Sequence, residues 1–388
     1  METKTLSLGT ALDRALDSAV EERRLVGGYV AVSRDGEPVY ERAAGLADRE
    51  SSAPFSADTI VRLASVTKPI VSVAALRLID QGKLGLDDPI TTWLPDFRPS
   101  LPGGGEATIL IRHLLTHTSG LSYRHAQPAD GPYALADISD GLDLPGRSLE
   151  DNLARIAALP LTFAPGESWE YSVGTDVLGA VLQKLTGDSL PNVVRDLVTG
   201  PLGMADTAFE LTDQARLARP YVNNEPEPHM LADGEVVPNP FMPEAAGVSF
   251  APSRVFDQTS FASGGGGMVG TGPEVHRFLE AVRLDAVDGQ QRLLRRETAR
   301  SLFQGQIGAL DTYPGMTFGF AGAVVREPAL AMTPQPAGTL NWGGVYGHKW
   351  FIDPVNAITV TILTNTIYEG MNGQLTIDIR DAVYASGE

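Results

Sequence analysis

Strand-like stretches crowd both ends of this chain and nearly vanish from its middle, a distribution that few topologies accommodate. Near the N-terminus, residues 29–33 and 38–43 flank Arg34-Asp35-Gly36-Glu37, which predicts a β-hairpin, and residues 59–63 add a short strand. Near the C-terminus, residues 318–325, 338–344, 349–352 and 358–363 read as strands, with a turn at Asp353-Pro354 and Asn356. The expected fold is α/β of the α+β kind: one antiparallel sheet formed by both termini, flanked by helices, with a mostly helical lobe inserted. The lobes divide roughly as 1–85 with 315–388 for the sheet and 86–314 for the helices, and the 388 residues are treated as one unit because no repeat or long linker separates them.

Helical periodicity fills in the rest. Leu12, Ala15, Leu16 and Val20 predict a first helix over 8–25, ended by Gly27-Gly28, and a last helix is expected over about 375–384. In the insertion, 153–159 and 173–185 are helical patterns, the second stopped at Gly187. Thr271-Gly-Pro-Glu274 reads as a helix start with a capping threonine, a first-turn proline and a glutamate at the box position. The run Ser263-Gly-Gly-Gly-Gly-Met268 lacks the Gly-Lys-Ser/Thr ending of a phosphate loop and is read as close backbone packing.

The chemistry concentrates at Ser65-Val66-Thr67-Lys68. Positions i and i+3 of a helix share a face, so hydroxyl and ammonium should point into one cavity. Pro69 is tolerated only in a first helical turn, so the helix should begin near Ser65 with its free amides beside the hydroxyl. The residues that follow, Ile70, Val71, Val73, Ala74, Ala75, Leu76, Leu78 and Ile79, are apolar almost all round. Lysine is rarely buried without a purpose or a partner, which speaks against a plain surface lysine at position 68.

Other chemistries fall away. The chain has no cysteine, so disulfides, thiolate metal sites and cysteine nucleophiles are excluded. No serine stands in Gly-x-Ser-x-Gly, which disfavours the α/β-hydrolase nucleophile. His113 and His117 have zincin spacing, yet Leu114 stands where the glutamate belongs, so neither a metal nor a cofactor is expected. A net charge of −18 argues against nucleic acid and anionic membranes as partners. Met1 to Leu8 carries no basic region followed by a long apolar core and no stretch is apolar over a membrane-spanning length, so a cytoplasmic protein is expected. A lysine at its ordinary pKa of about 10.4 is a poor base near neutrality. Tyr171, in Pro165-Gly-Glu-Ser-Trp-Glu-Tyr171, is a second candidate base, provided that a nearby ammonium lowers its phenol; packing at a helix entrance is the alternative.

Taken together, Ser65-x-x-Lys68, Leu114-Leu-Thr-His-Thr-Ser-Gly120, Pro165-Gly with Tyr171-Ser172, and Trp342-Gly-Gly-Val-Tyr-Gly347 resemble the serine β-lactamase and penicillin-binding-protein superfamily, and within it the family VIII carboxylesterases. The resemblance runs nearly end to end and includes Ala251-Pro-Ser-Arg-Val-Phe256 and Leu363-Thr-Asn-Thr366. It implies a β-lactamase-like fold, Ser65 as acylated nucleophile, Lys68 and Tyr171 as the base pair, and the Ser65 and Val345 amides as oxyanion hole. It also implies that Trp342, Gly343, Gly344 and Tyr123 bind substrate.

Departures from the lactamase pattern bear on the substrate. Tyr171-Ser172-Val173 replaces Tyr-x-Asn, and Trp342-Gly343-Gly344 replaces Lys-Thr-Gly. Each lost charge-assisted contact is typically worth about 1.5–3 kcal/mol, so an anionic lactam should bind poorly while a short neutral ester should not suffer. Lys349, five residues past Gly344, could restore some positive charge near the pocket, but is read as an exposed strand lysine. The expected activity is therefore a serine carboxylesterase acting on a small-molecule ester. The alternatives are a class C-like β-lactamase, amidase or transacylase, or a non-catalytic ligand-binding or assembly protein on the same fold.

Overall fold

The computed structural model describes residues 7–143, 145–239 and 242–385. The leader reading at the N-terminus therefore falls largely outside the described residues. An eight-stranded sheet organises the molecule, and every neighbouring pair in it is antiparallel. Its strands are β1 (Gly27–Arg34), β2 (Glu37–Asp48), β3 (Ala53–Pro54), β4 (Met316–Phe318), β5 (Ala323–Val325), β6 (Leu340–Gly344), β7 (His348–Asp353) and β8 (Ile358–Thr364). The order β4-β5-β6-β7-β8-β1-β2-β3 joins the two ends of the chain through β8 and β1, where Val30 faces Ile362 and Val32 faces Val360.

Five helices position this sheet and the site: α1 (Leu8–Glu21), α2 (Thr67–Asp80), α3 (Gly174–Thr186), α4 (Gly272–Val287) and α5 (Gln374–Ala385). Side chains alternate across a strand, so Val30 and Val32 enter one core with Leu12, Leu16, Leu375 and Ile379 of α1 and α5, while Tyr29 and Ala31 enter the other. Helix α4, although drawn from the middle of the chain, packs on that second face: His276 bonds Ser33 Oγ (2.6 Å) and Thr361 Oγ1 (2.9 Å) across β1 and β8. All of α2 except Arg77 and Ile79 is buried, which explains its all-round apolar sequence. No helix among the described residues is long and apolar enough to cross a membrane.

Several boundaries differ from expectation for local reasons. The stretch 318–325 is two strands, β4 and β5, because Gly319 N donates to Gly322 O (2.8 Å) and turns the chain between them. The strand expected over 59–63 is reduced to Val61–Arg62, which pairs with Val269–Gly270 outside the main sheet. Helix α1 stops at Glu21, short of residue 25. The Thr271 side chain makes no capping bond; Glu274 instead accepts from the Asp206 amide (3.1 Å) and Thr207 Oγ1 (2.7 Å), a tertiary demand that overrides the local box. Gly187 does end α3 in the left-handed conformation, at φ 74°.

At the start of α4, Gly272 lies so close to the Tyr29 ring that a Cβ there would overlap it. Gly272→Ala is expected to cost about 1–3 kcal/mol of stability by overpacking, read as a lowered denaturation midpoint with an unchanged slope.

Candidate active site

Ser65 sits on a strained turn. The pairing of Val61–Arg62 with Val269–Gly270 delivers the chain to Ala64, whose φ of 43° is in the left-handed region that side chains avoid. A 3-10 turn over Ala64–Val66 follows and runs into α2 at Thr67, two residues later than the sequence suggested. Pro69 falls in the first turn of α2, as its missing N–H requires. The nucleophile turn is tied to the sheet: His348 Nε2 donates to Arg62 O (2.8 Å) while its Nδ1 accepts from Thr364 N (3.2 Å). Burial pushes this imidazole down to about 4, which keeps it neutral in that bridging role.

Lys68 points back at the serine. Its Nζ lies 3.2 Å from Ser65 Oγ and 2.6 Å from the Gly265 carbonyl oxygen. Burial brings the ammonium down to about 7, with Asp176 and Asp140 opposing the shift. Asp176 is buried with it; one carboxylate oxygen accepts from Ser263 Oγ (2.6 Å) and the Gly265 amide (3.2 Å), and burial holds its carboxyl above the usual range. The glycine run makes this possible. A Cβ on Gly264 would stand 2.5 Å from Thr175 O, and one on Gly265 would stand 2.6 Å from Asp176 Oδ2. Close packing is thus what the glycines provide, and through it a carbonyl that holds the lysine.

Tyr171 completes the cluster inside an aromatic cage. Its ring centroid lies 4.6 Å from Lys68 Nζ, 4.7 Å from the His117 ring and 5.0 Å from the Trp342 ring. Its phenol oxygen accepts from Trp342 Nε1 at 3.2 Å. Burial raises the phenol far above its ordinary value, and hydrogen bonds with Ser65 and Trp342 offset this only in part. The ammonium expected to lower it is itself weakened by burial, so the phenol is neutral at neutral pH. Tyr123 is buried beneath the same cluster, 5.2 Å from Lys68 Nζ and 5.3 Å from the Tyr171 ring.

A cavity of about 640 Å³ opens over these groups and is lined by Ser65, Tyr123, Tyr171, Trp342, Gly343 and Val345 among others. Gly344 does not line it. A Cβ at Gly344 would overlap the Leu63 carbonyl, so that glycine serves close approach of β6 to the nucleophile turn and not substrate contact. Val345, which follows β6, lines the same cavity as Ser65, and its amide has no backbone partner among the described residues. Lys349 is another correction: it lies in the wall of this cavity, not on an exposed strand face. His113 and His117 do not converge; the Nδ1 of each accepts a backbone amide, from Leu110 and Ser172 respectively, both at 3.2 Å.

Sequence reasoning missed Asp176, the Gly265 carbonyl and a dyad in the cavity wall, where His125 Nδ1 meets Asp140 Oδ2 at 2.7 Å. Asp176 lies in the first turn of α3, five residues after Tyr171, and could have been suspected as a carboxylate at the start of a largely apolar helix. The carbonyl has no sequence signal.

Comparisons with known proteins match the chain over nearly all of its length. The Beta-lactamase family profile matches residues 12–384. Esterase EstB of Burkholderia gladioli is 51% identical over 381 residues, covering 98% of this chain and 96% of its own. The solved structure of EstCE1, described as a hydrolase with promiscuous acyltransferase activity, superposes with a TM-score of 0.93 at 44% identity, covering 97% of this chain and 98% of its own. Simvastatin synthase (LovD) of Aspergillus terreus shares the fold at a TM-score of 0.76 and 23% identity, over 98% of each chain. With its fold, its motifs and nearly all of its length matched, the chain belongs to the Beta-lactamase family, alongside Esterase EstB.

Proposed function

We propose that the protein is a serine carboxylesterase in which Ser65 is acylated, Lys68 is the general base and Tyr171 relays the proton. The observation that carries this is the 3.2 Å approach of Lys68 Nζ to Ser65 Oγ at the floor of the cavity, where burial depresses the lysine to about 7. A neutral amine keeps one N–H on the Gly265 carbonyl and turns its lone pair to the hydroxyl. As Ser65 Oγ bonds to the ester carbonyl carbon, its proton passes to Lys68, and charge on the carbonyl oxygen develops toward the Ser65 and Val345 amides. The carbon–oxygen bond to the alcohol then breaks, and the alkoxide takes the proton through the Tyr171 phenol. Water repeats the sequence on the acyl-enzyme, releasing the acid and restoring the serine hydroxyl.

The short neutral ester remains the preferred substrate at the reacting carbonyl, because Trp342 stands where a lysine would grip an anion beside it. A phosphonate ester should add its phosphonyl group to the protein once, with the alcohol lost, and peptide mapping should place it on Ser65. An unlabelled Ser65, with neutral p-nitrophenyl esters left uncleaved, would refute the assignment.

A specific feature also favours acyl transfer. Tyr123, Tyr171, Tyr313 and Trp342 wall the cavity around the serine, so a bound alcohol competes well with water for the acyl group. Added short alcohols are expected to yield new esters and to raise the rate of p-nitrophenol release if deacylation limits turnover; free acid as the sole product would remove this reading.

A further inference from the structure

The cavity over Ser65 does not end at the reacting carbonyl. It continues past Gly343 to the opposite face of the sheet, where β7 meets α5. Alternation along β6 explains the passage. Trp342 points to Tyr171, whereas Asn341 and Gly343 face the other side, where Gly343 is the cross-strand partner of Lys349. A Cβ at Gly343 would stand 2.4 Å from the His348 carbonyl oxygen and 3.2 Å from Met371 Cγ, so only glycine fits the close strand pairing here, and no side chain projects from this position into the passage.

Two cations stand at the far end. Lys349 Nζ donates to Asn341 Oδ1 at 3.3 Å and forms no ion pair among the described residues. Arg380, on α5, pairs with its chain neighbour Asp381 at 2.7 Å and with no other carboxylate among the described residues. Burial, and then the Arg380 guanidinium, push Lys349 down to about 8. No carboxylate opposes that shift, which is unusual in a chain with 48 acidic side chains against 30 basic ones. A desolvated cation without a counter-charge is costly, and an incoming anion relieves that cost. Thr376 and Gln335 add polar atoms to the same walls. The remaining negative charge of the protein is screened over about 8 Å at physiological salt, so it does not cancel a pair of cations inside a walled chamber.

We infer that this chamber is a carboxylate-binding subsite: the enzyme accepts esters that carry a carboxylate remote from the reacting carbonyl, with Lys349 and Arg380 holding that anion while the uncharged ester group meets Ser65. The inference rests on the esterase reading above. It is distinct from the anion grip replaced by Trp342, because the charge sits beyond Gly343 and not beside the scissile bond.

The test compares matched pairs of esters. One series carries the carboxylate on the acyl half, as p-nitrophenyl hemiesters of diacids of four to eight carbons, each against the neutral acyl ester of equal length. The other carries it on the alcohol half, as butyrates of ω-hydroxy acids against butyrates of plain alcohols. In at least one series kcat/KM for the charged member should exceed the neutral one by about tenfold or more, chiefly through KM. Lys349→Met should bring that ratio close to one, Arg380→Gln should lower it, Lys349→Arg should restore most of it, and raised salt should reduce it. Ratios of one or below at every length in both series, or a preference untouched in both Lys349→Met and Arg380→Gln, overturn the subsite. Turnover of the neutral members is the internal reference: if it persists while the ratios stay flat, the subsite fails alone, and if it is absent the esterase reading fails with it.

Discussion

Ser65→Ala is expected to reduce kcat for p-nitrophenyl butyrate by about 10⁴-fold or more and to abolish the phosphonate adduct. The size follows from the geometry. Among the described residues no other serine or threonine hydroxyl bonds Lys68 Nζ, and the carbonyl oxygen of Gly265 already occupies the other side of that amine. What should survive in the variant is direct attack of water on a bound ester, a slow route with no covalent intermediate. The three members act as one unit, so removing Lys68 as well should cost almost nothing further. A double variant that falls another hundredfold would show that Lys68 acts on something other than the serine. A single variant that keeps more than one per cent of wild-type kcat would move the nucleophile elsewhere.

How far the sequence anticipates these features differs by kind of residue. Period and punctuation were enough for the two-ended sheet, α2 and the stop at Gly187, because strands announce themselves by β-branched runs and a buried helix by its lack of a polar face. Ser65 and Lys68 were legible through spacing and setting and Tyr171 only through the family resemblance, and the structure brings all three together. Their division of labour was not, since it depends on how deeply each is buried, and burial raises the phenol while it lowers the amine. Thr271 shows the limit of local reasoning: its capping signature is intact, but Glu274 is recruited by Asp206 and Thr207, nearly seventy residues upstream. Lys349 shows a related limit. Strand lysines are usually exposed, and only the pairing of β6 with β7 and the glycine at 343 turn this one into the cavity wall. Gly344 was read as a substrate contact on the family resemblance; its own environment is the Leu63 carbonyl.

Lys68→Met is expected to lower kcat/KM by about 10³-fold at pH 8 and to erase the acid limb of the pH profile. In the wild type, Lys68 is depressed to about 7 by burial, so activity should rise with pH through that value and level off above it. At pH 5 the amine is free in about one molecule in a hundred, and kcat/KM should be lower by that factor. Lys68→Arg keeps the charge but remains protonated throughout, so it should be equally inactive and show no rise. Tyr171→Phe distinguishes the two bases: it should lose about 10²-fold from proton relay yet retain the limb near 7, whereas a tyrosinate base would carry the limb away with it. The same depression has a consequence for stability. The folded-state pKa lies below the unfolded one, so the cost of burying the cation is fully present below about pH 7 and disappears as pH rises through the unfolded value near 10.4. Lys68→Met removes that cost, although Asp176 then loses the neighbouring charge that offsets its own burial. The variant should therefore melt no lower than the wild type at pH 7, and its advantage should shrink as the pH approaches 10. An inactive variant that is also markedly less stable would mean that Lys68 supports the fold and that its loss of activity says nothing about proton transfer.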